Sequence, residues 1–372
     1  MNILALEPYY GGSHRAFLDG WIERSRHNWT LLTHTPNKWK WRMRHSAVTL
    51  SKQVKLAMED GESWDAIFCS DMLNLAEFLG LCPQLANLPT VVYFHENQLT
   101  YPVEYAREWD YHFSITNMTS ALAASQAWFN SEYNRDSFLS ELEIFLKRMP
   151  DNQPLDAIGT IRKKSTIVHP CISLPSPNTH HSLLSTHHSP HILWAARWEQ
   201  DKNPQAFFDA VNALADKGID FKLSVIGGGN SRNTLPIFDE NKEKHKDRIV
   251  HWGWMETRED YLAVLQECDI AVSTAIHEFF GISMAEAAAA GAYPLVPDAL
   301  AYPELLDRDN NPDFFYDNSA PHLIARLEEL CTSTAEGKLW NDNPDRGIKT
   351  VTRFAWEKNV PAMDDAISAI TI

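Results

Sequence analysis

The sequence predicts an α/β protein of two domains, each a parallel β-sheet covered by helices. First, the chain has 372 residues, which is long for a single domain. Second, short apolar runs alternate with amphipathic segments in both halves. Third, a stretch rich in Ser, Pro, Thr and His separates the halves. We therefore expect an N-terminal domain over 1–172, a linker over 173–190, a C-terminal domain over 191–350, and a final helix over 351–372 that packs back on the N-terminal domain.

In the first half, five apolar runs predict strands at 2–6, 66–70, 90–94, 128–131 and 165–168. Helical periodicity predicts helices at 15–25, 74–80, 115–124 and 134–148, and residues 149–164 are interpreted as a loop. The first strand leads into a glycine turn at Gly12, and such a turn before a helix can face a phosphate. The third predicted strand leads into His95, Asn97 and Gln98, at the strand end where open α/β sheets bind ligands. A hydrogen-bonded structural role for His95 remains the alternative.

A basic segment without acidic residues runs from Arg24 to Met58. Its centre alternates cations and tryptophans, in the order Lys38, Trp39, Lys40, Trp41, Arg42 and Arg44. Cations neutralise phosphates, and indole rings stack on exposed bases, so this pattern is compatible with RNA binding. The alternative is a solvated loop whose tryptophans pack on their own domain.

In the second half, strands are predicted at 191–196, 221–226, 248–252, 270–273 and 293–296, and helices at 205–217, 258–266, 285–290, 321–332 and 356–370. Arg197 and Lys202 follow the first of these strands and form a suitable pair of cations for a diphosphate. Gly227 and Gly253 follow the next two strands and allow a flat base to approach the backbone closely.

The stretch from His277 to Gly291 places two glutamates on either side of a turn before an Ala-rich helix. Phe280, Gly281 and Ile282 form the turn, whose free N–H groups suit a phosphate. Glu278 and Glu286 could hold hydroxyl groups of a sugar and of a ribose. Cations for phosphates and carboxylates for polyols together predict a nucleotide-sugar site; a buried helix with exposed glutamates is the alternative.

Composition narrows the function classes. The net charge of −16 argues against a general nucleic-acid coat protein. The five cysteines are scattered and form no C-x-x-C pair, which argues against structural zinc and fits a cytoplasmic location. No apolar run is long enough for a membrane span. Neither a metal site nor an oligomeric state is predicted.

The motifs resemble those of a known family. "RWEQDKNP" and "HEFFGISMAEA" look like the donor motifs of retaining GT4 glycosyltransferases, whose GT-B fold has two Rossmann-like domains facing a central cleft. "YYGGSH", "KWKWRMRHSA", "YFHENQLTYPV" and "FNSEYNRDSFL" resemble the tRNA-queuosine α-mannosyltransferase family. The resemblance implies transfer of mannose from GDP-mannose to queuosine at the tRNA wobble position, with retention and without a cofactor or a required metal.

The resemblance also implies residue roles. Arg197 and Lys202 would bind the donor diphosphate, Glu286 the ribose and Glu278 the hexose. His95 would lie beside the sugar, so that His95, Glu278, Arg197 and Lys202 carry catalysis, and the leaving phosphate would take the acceptor proton.

Two other functions stay open on the sequence alone. One keeps the donor chemistry with a saccharide, lipid or small-metabolite acceptor, which the acidic charge favours. The other is a non-catalytic nucleotide-sugar or RNA-binding module. The donor base, guanine or uracil, cannot be read from the glycines.

Overall fold

The computed structural model describes residues 1–101, 110–175, 189–228, 235–341 and 343–370. Its strands are β1 (Asn2–Glu7), β2 (Asn28–Thr33), β3 (Ala66–Ser70), β4 (Thr90–Phe94), β5 (Gln126–Phe129), β6 (Ser165–Ile167), β7 (His191–Ala195), β8 (Lys222–Ile226), β9 (Ile249–Gly253), β10 (Ile270–Val272), β11 (Tyr293–Pro297) and β12 (Phe315–Tyr316). Its α-helices are α1 (Gly12–Arg24), α2 (Trp39–Glu59), α3 (Leu75–Leu81), α4 (Tyr111–Ala123), α5 (Glu132–Lys147), α6 (Asp156–Lys163), α7 (Pro204–Asp216), α8 (Pro236–Lys244), α9 (Arg258–Glu267), α10 (Ile282–Ala290), α11 (Tyr302–Leu305), α12 (Ala320–Ala335), α13 (Arg346–Val351) and α14 (Trp356–Ala369).

The chain forms two compact units, and we call them the N-terminal and the C-terminal unit. The N-terminal unit comprises 1–171 and 356–372, and the C-terminal unit comprises 172–355. Each contains one six-stranded sheet, with strand order β2-β1-β3-β4-β5-β6 in the first and β12-β11-β10-β7-β8-β9 in the second. All strand pairs are parallel. The prediction of a two-domain α/β fold is therefore confirmed. Most of the predicted linker, 176–188, lies outside the described residues.

In the N-terminal unit, apolar side chains alternate between the two faces of the sheet. Phe68 and Trp128 pack with Trp21 of α1 and Trp356 of α14, whereas Leu4 packs on the opposite face with residues of α2 to α6. Both faces are buried, as is usual for parallel sheets.

Helix α14 belongs to the N-terminal unit, although it follows the C-terminal unit in sequence. Its Asp364 is buried and accepts hydrogen bonds from Trp21 Nε1, Ser25 Oγ and the N–H of Arg26, each at 2.8 Å. These three bonds fix α14 against the end of α1.

Several elements of the structure were not predicted from the sequence. β2 and α2 fill the basic region where no element was predicted, and α6 occupies 156–163 where a loop was predicted. The short elements α8, β12 and α13 were also missed. β2 is only half-buried, so its apolar pattern is weak. The buried residues of α2 recur at helical spacing but stand among cations: Met43, Ala47, Leu50 and Val54.

No helix among the described residues is long and apolar enough to cross a bilayer.

Candidate active site

In the C-terminal unit, the loops that follow β7 and β10 lock together. The carbonyl of Asp201 accepts the N–H groups of Ile276 at 2.9 Å and His277 at 3.3 Å. Thr274 Oγ1 donates to the carbonyl of Lys202 at 2.9 Å. These hydrogen bonds to main-chain carbonyls fix the distance between the two segments that carry the predicted donor residues.

Lys202 and Glu278 meet in the interior of this loop pair. Lys202 Nζ donates to the carbonyl of His277 at 2.7 Å and lies 3.2 Å from Glu278 Oε2 and 3.0 Å from Asp201 Oδ2. Burial disfavours the ammonium, but the carboxylates of Glu278 and Asp201 outweigh it and raise the pKa of Lys202. Burial likewise opposes the charge on Glu278, but Lys202 and the N–H of Phe280 lower the pKa of Glu278. Both side chains are therefore held in their charged forms at neutral pH.

A small cavity opens at this pair. Lys202 and Glu278 line it together with Trp194, Ala195, Ala196, Val272, Ser273, Ser283, Met284 and Tyr302. Four of these residues end β7 or begin α10, so the cavity lies where the carboxyl ends of the strands meet a helix N-terminus. This is the usual ligand position in open α/β sheets.

Arg197 stands beside this buried pair in a more exposed position. Its guanidinium lies 3.0 Å from Glu199 Oε2 and 3.7 Å from Asp201 Oδ2, and its side chain is 55% exposed. Arg197 and Lys202 thus both contact Asp201, and their binding to a diphosphate stays a prediction. An exposed guanidinium can turn towards an incoming anion at little cost.

The turn before α10 requires a glycine. Gly281 has φ +93°, and a Cβ at this position would lie 2.7 Å from the ring of Tyr302. Phe280 is buried against Phe354, with ring centroids 5.3 Å apart, and anchors the turn from the other side. Ile282 then begins α10, and first-turn N–H groups and the dipole of a helix favour an anion at its N-terminus.

Glu286 lies one turn further along α10 and is held by residues that the sequence did not reveal. It is 7% exposed, pairs with the guanidinium of Arg258, and accepts a hydrogen bond from Tyr261 Oη at 3.0 Å. Both partners are on α9, so no local motif could indicate them. A carboxylate has about four acceptor sites, which leaves capacity for a ribose hydroxyl, and the ribose role remains a prediction.

Gly227 and Gly253 have a backbone role. Gly227 has φ +97°, a Cβ there would lie 2.5 Å from the carbonyl oxygen of Ala196, and its N–H donates to the carbonyl of Gly253 at 3.1 Å. The two glycines therefore bring the loops after β8 and β9 together at the same sheet edge as Lys202. Their contact with a base stays a prediction.

In the N-terminal unit, His95 lies in a cluster of polar side chains. It follows β4, and its N–H donates to Asp71 Oδ1 at 2.9 Å. Its ring lies against that of His14, with centroids 3.9 Å apart and planes inclined by 31°. His14 lies in the first turn of α1, which begins at Gly12. His95 Nε2 is buried and has no hydrogen-bond partner among the described residues. The unpaired nitrogen favours a ligand role for His95.

The predicted tRNA-binding segment forms the N-terminal part of α2. Lys38 and Lys40 are exposed, Trp41 is 61% exposed, and Trp39 is half-buried against Phe113 with ring centroids 5.2 Å apart. The structure thus separates the two tryptophans: Trp41 is largely exposed beside the ring of His45, while Trp39 packs on its own unit.

The two arginines of this segment already have polar partners within the N-terminal unit. Arg42 donates to the carbonyl of Thr35 at 3.0 Å and to Asn37 Oδ1 at 2.8 Å. Arg44 pairs with Asp110 at 2.8 Å and lies over the ring of Phe113. Lys38 and Lys40 are therefore the better candidates for phosphate contacts.

Asn97 and Gln98 build the loop after His95. Asn97 is fully buried, and its Oδ1 accepts hydrogen bonds from the N–H groups of Leu99 at 3.1 Å and Thr100 at 3.0 Å. Gln98 Nε2 donates to Glu96 Oε1 at 2.9 Å. The structure gives Asn97 a scaffolding role, and a direct acceptor contact by either residue is still a prediction.

Two six-stranded parallel sheets, each in its own compact unit, form a GT-B fold. Solved structures agree with the fold. The sucrose-phosphate synthase of Thermosynechococcus elongatus has a TM-score of 0.72 at 13% identity, covering 100% of this chain and 99% of that one. Anabaena HepE in complex with UDP has a TM-score of 0.66 at 13% identity, covering 99% and 100%.

Sequence comparison gives the family. A family model described as "tRNA-queuosine alpha-mannosyltransferase N-terminal" matches residues 2–172, and one described as "Glycosyl transferases group 1" matches 176–344. The tRNA-queuosine alpha-mannosyltransferase of Drosophila melanogaster is 35% identical over 339 residues, 89% of this chain and 87% of that protein. The chain belongs to the tRNA-queuosine alpha-mannosyltransferase family, as its motifs predict. A GDP-mannose-dependent alpha-(1-6)-phosphatidylinositol dimannoside mannosyltransferase of Mycobacterium tuberculosis is 24% identical over 186 residues, 49% of this chain and 44% of that protein.

Proposed function

We propose that this protein transfers mannose from GDP-mannose to queuosine at the wobble position of tRNA, with retention of configuration. The Lys202–Glu278 pair beside the N-terminus of α10 is the observation that carries the donor half of the proposal. The acceptor half is supported by the Drosophila relative, which is named for tRNA-queuosine. GDP-mannose is supported by the mycobacterial relative, which is named as GDP-mannose-dependent.

The donor diphosphate would bind to groups that the structure already brings to one place. Lys202 supplies a buried charge, Arg197 an exposed guanidinium, and α10 its first N–H groups. In the reaction, negative charge grows on the leaving diphosphate, so fixed positive groups in a partly buried site stabilise the transition state more than the ground state. Glu278 would hold hexose hydroxyls, and the leaving phosphate would accept the proton of the attacking hydroxyl.

The acceptor would meet the sheet edge of the N-terminal unit. Because its strands are parallel, the loops after β1, β2, β3 and β4 leave the same edge of this sheet. Tyr9, Trp39, Met72 and Phe113 form one small apolar cluster with Met43 at this edge. The exposed start of α2 therefore lies at the edge that also carries His95. A local basic face of this kind would offset the net charge of −16 for an RNA acceptor.

The test is transfer to defined tRNAs. Purified protein is incubated with GDP-mannose and tRNA that carries either queuosine or guanosine at the wobble position, and digested nucleosides are analysed by mass spectrometry. We expect one hexose on queuosine and none on guanosine, with Lys202→Ala as the inactive control. Transfer from UDP-glucose but not GDP-mannose would overturn the donor, and hexose appearing only on a small sugar or lipid acceptor would overturn the tRNA proposal.

A further inference from the structure

A group of polar side chains lies beneath His95 at the strand ends of the N-terminal unit. Glu7 ends β1 and Asp71 follows β3, both fully buried, and His14 on α1 is 5% exposed. Burying ionisable groups costs several kcal/mol each unless they are paired. The proposed function uses only His95 of this group, so the other three need their own explanation.

Glu7 and His14 form a buried ion pair with defined orientation. Glu7 Oε2 lies 3.2 Å from His14 Nδ1, and Glu7 Oε1 accepts hydrogen bonds from Ser70 Oγ at 2.9 Å and from the N–H of Tyr9 at 2.8 Å. These three contacts hold the Glu7 carboxylate in one orientation. The imidazole of His14 is thereby fixed in the plane that stacks on His95.

The surroundings keep the two histidines in different charge states. Burial disfavours protonation of His14, but Glu7 outweighs it and raises the pKa of His14 to about 9. Burial and the neighbouring His14 cation lower the pKa of His95 well below its usual range. The titratable groups that face the pair from all neighbouring elements are Glu7, Tyr9, Cys69, Asp71, Tyr93 and Glu96.

The same side chains carry atoms that could ligate a metal ion, but the orientation of the two imidazole rings excludes a shared ion. One atom each of Glu7, His14 and His95 lies within 4.8 Å of the others. A metal must lie in the plane of every ligating imidazole. The ring planes of His14 and His95 are inclined by 31°, and the ring centroids are only 3.9 Å apart. Two such planes meet several ångströms beyond the ring edges, which is farther than the ~2.1 Å of a metal–nitrogen bond.

We infer that Glu7 and His14 are positioning residues: their ion pair holds the His95 ring in place and keeps it neutral, with Nε2 reserved for a substrate hydroxyl. The His95 ring lies 3.9 Å from the His14 ring and also contacts the rings of Tyr93 and Phe17, at 4.6 and 5.5 Å. Its main chain is held by Asp71 Oδ1 on the N–H and by Asn130 Nδ2 on the carbonyl. Of these neighbours, His14 is the one that brings a charge to the ring. Among the described residues, these contacts leave the buried Nε2 without a partner. The substrate part of this inference rests on the proposed function, whereas the ion pair does not.

The first test reads the histidines directly by nitrogen NMR of the whole protein labelled on histidine. In the wild type, His14 should be a cation at pH 8, and its signals are assigned by their loss in His14→Phe, which keeps an aromatic face on His95. In Glu7→Gln, His14 should be neutral at pH 8, and His95 should titrate at higher pH. A neutral His14 in the wild type would overturn the inference.

The second test separates positioning from simple structural support. We expect the acidic limb of the kcat/KM profile to move up by about one pH unit in Glu7→Gln. The matched control is Ser70→Ala, which loses one hydrogen bond to the same carboxylate but keeps both charges, and its acidic limb should stay in place. An equal loss at every pH in Glu7→Gln would overturn the inference, as would one equivalent of bound metal that His14→Phe removes. A wild type that lacks mannosyl transfer but has a cationic His14 would refute the proposed function and leave the ion pair standing.

Discussion

Removing the two exposed lysines at the start of α2 should reduce the salt dependence of tRNA binding. The change is Lys38→Gln with Lys40→Gln, which keeps most of each side chain and removes only the charge. Arg42 and Arg44 are left in place because they hold the loop and Asp110, and their loss would disturb the structure as well as the charge.

The size of the effect follows from counterion release. Each lysine–phosphate contact contributes ~0.7–0.9 to the slope of log K against log salt, so two contacts contribute about 1.6. Between 50 and 200 mM salt, this slope change alters the ratio of wild-type to variant affinity about ten-fold. At low salt, the variant should therefore bind tRNA much more weakly than the wild type. At high salt, the two affinities should be similar.

The assay is fluorescence anisotropy with labelled queuosine-containing tRNA at several salt concentrations. The control variant, Lys147→Gln with Lys163→Gln, makes the same charge change on α5 and α6, which connect the strands of the opposite half of the sheet. Its slope should equal that of the wild type. Identical slopes for the α2 variant and the wild type would refute the docking surface, and equal reductions in both variants would reduce it to an effect of net charge.

Three further outcomes follow from single sites. Asp364→Ala should lower the free energy of unfolding of the N-terminal unit by about 3 kcal/mol, because it leaves the buried Nε1 of Trp21 unpaired and removes two partly buried hydrogen bonds. In the same denaturant titration, the exposed neighbour Asp365→Ala should cost less than ~0.5 kcal/mol, and equal costs would contradict this reasoning. Gly281→Ala should weaken GDP binding measured by calorimetry, since φ +93° strains any side chain and shifts the turn, and unchanged affinity would disprove the anion site. Because the pKa of His14 is raised from 6.5 to about 9, its pair with Glu7 contributes fully below pH 6.5 and is lost as the pH rises through 9, about 3 kcal/mol in all; thermal unfolding should show this decline in the wild type and not in Glu7→Gln, and parallel curves would contradict it.

The sequence predicted the site residues that share one contiguous motif. It did not predict contacts between residues of different helices or strands. Glu278, Gly281 and Glu286 share one motif, so their order and spacing could be read directly. Arg258 and Tyr261, which hold Glu286, are on another helix, and only the fold brings them close.

The sequence also did not show which side chains are exposed to solvent. Trp39 and Trp41 look equivalent in a basic stretch, and the difference between them depends on the helical phase of α2. That helix was not predicted, since its apolar residues are diluted by lysine and arginine. Likewise, Glu7 ends one apolar strand and Asp71 follows another, positions where exposed acids are also common. Nothing local indicates that both are buried beside a histidine pair.

Two carboxylates compensate the buried charge of Lys202 and link it to the proposed hexose-binding residue. A buried ammonium is costly unless it is compensated, and here Asp201 and Glu278 compensate it. When a diphosphate approaches Lys202, it offers the same negative charge, so the contact with Glu278 becomes replaceable. On the proposed function, the carboxylate released from Lys202 is the one that holds the hexose. Binding of the phosphates and capture of the sugar would therefore be coupled through a single side chain, because Glu278 contacts Lys202 and would also hold the hexose.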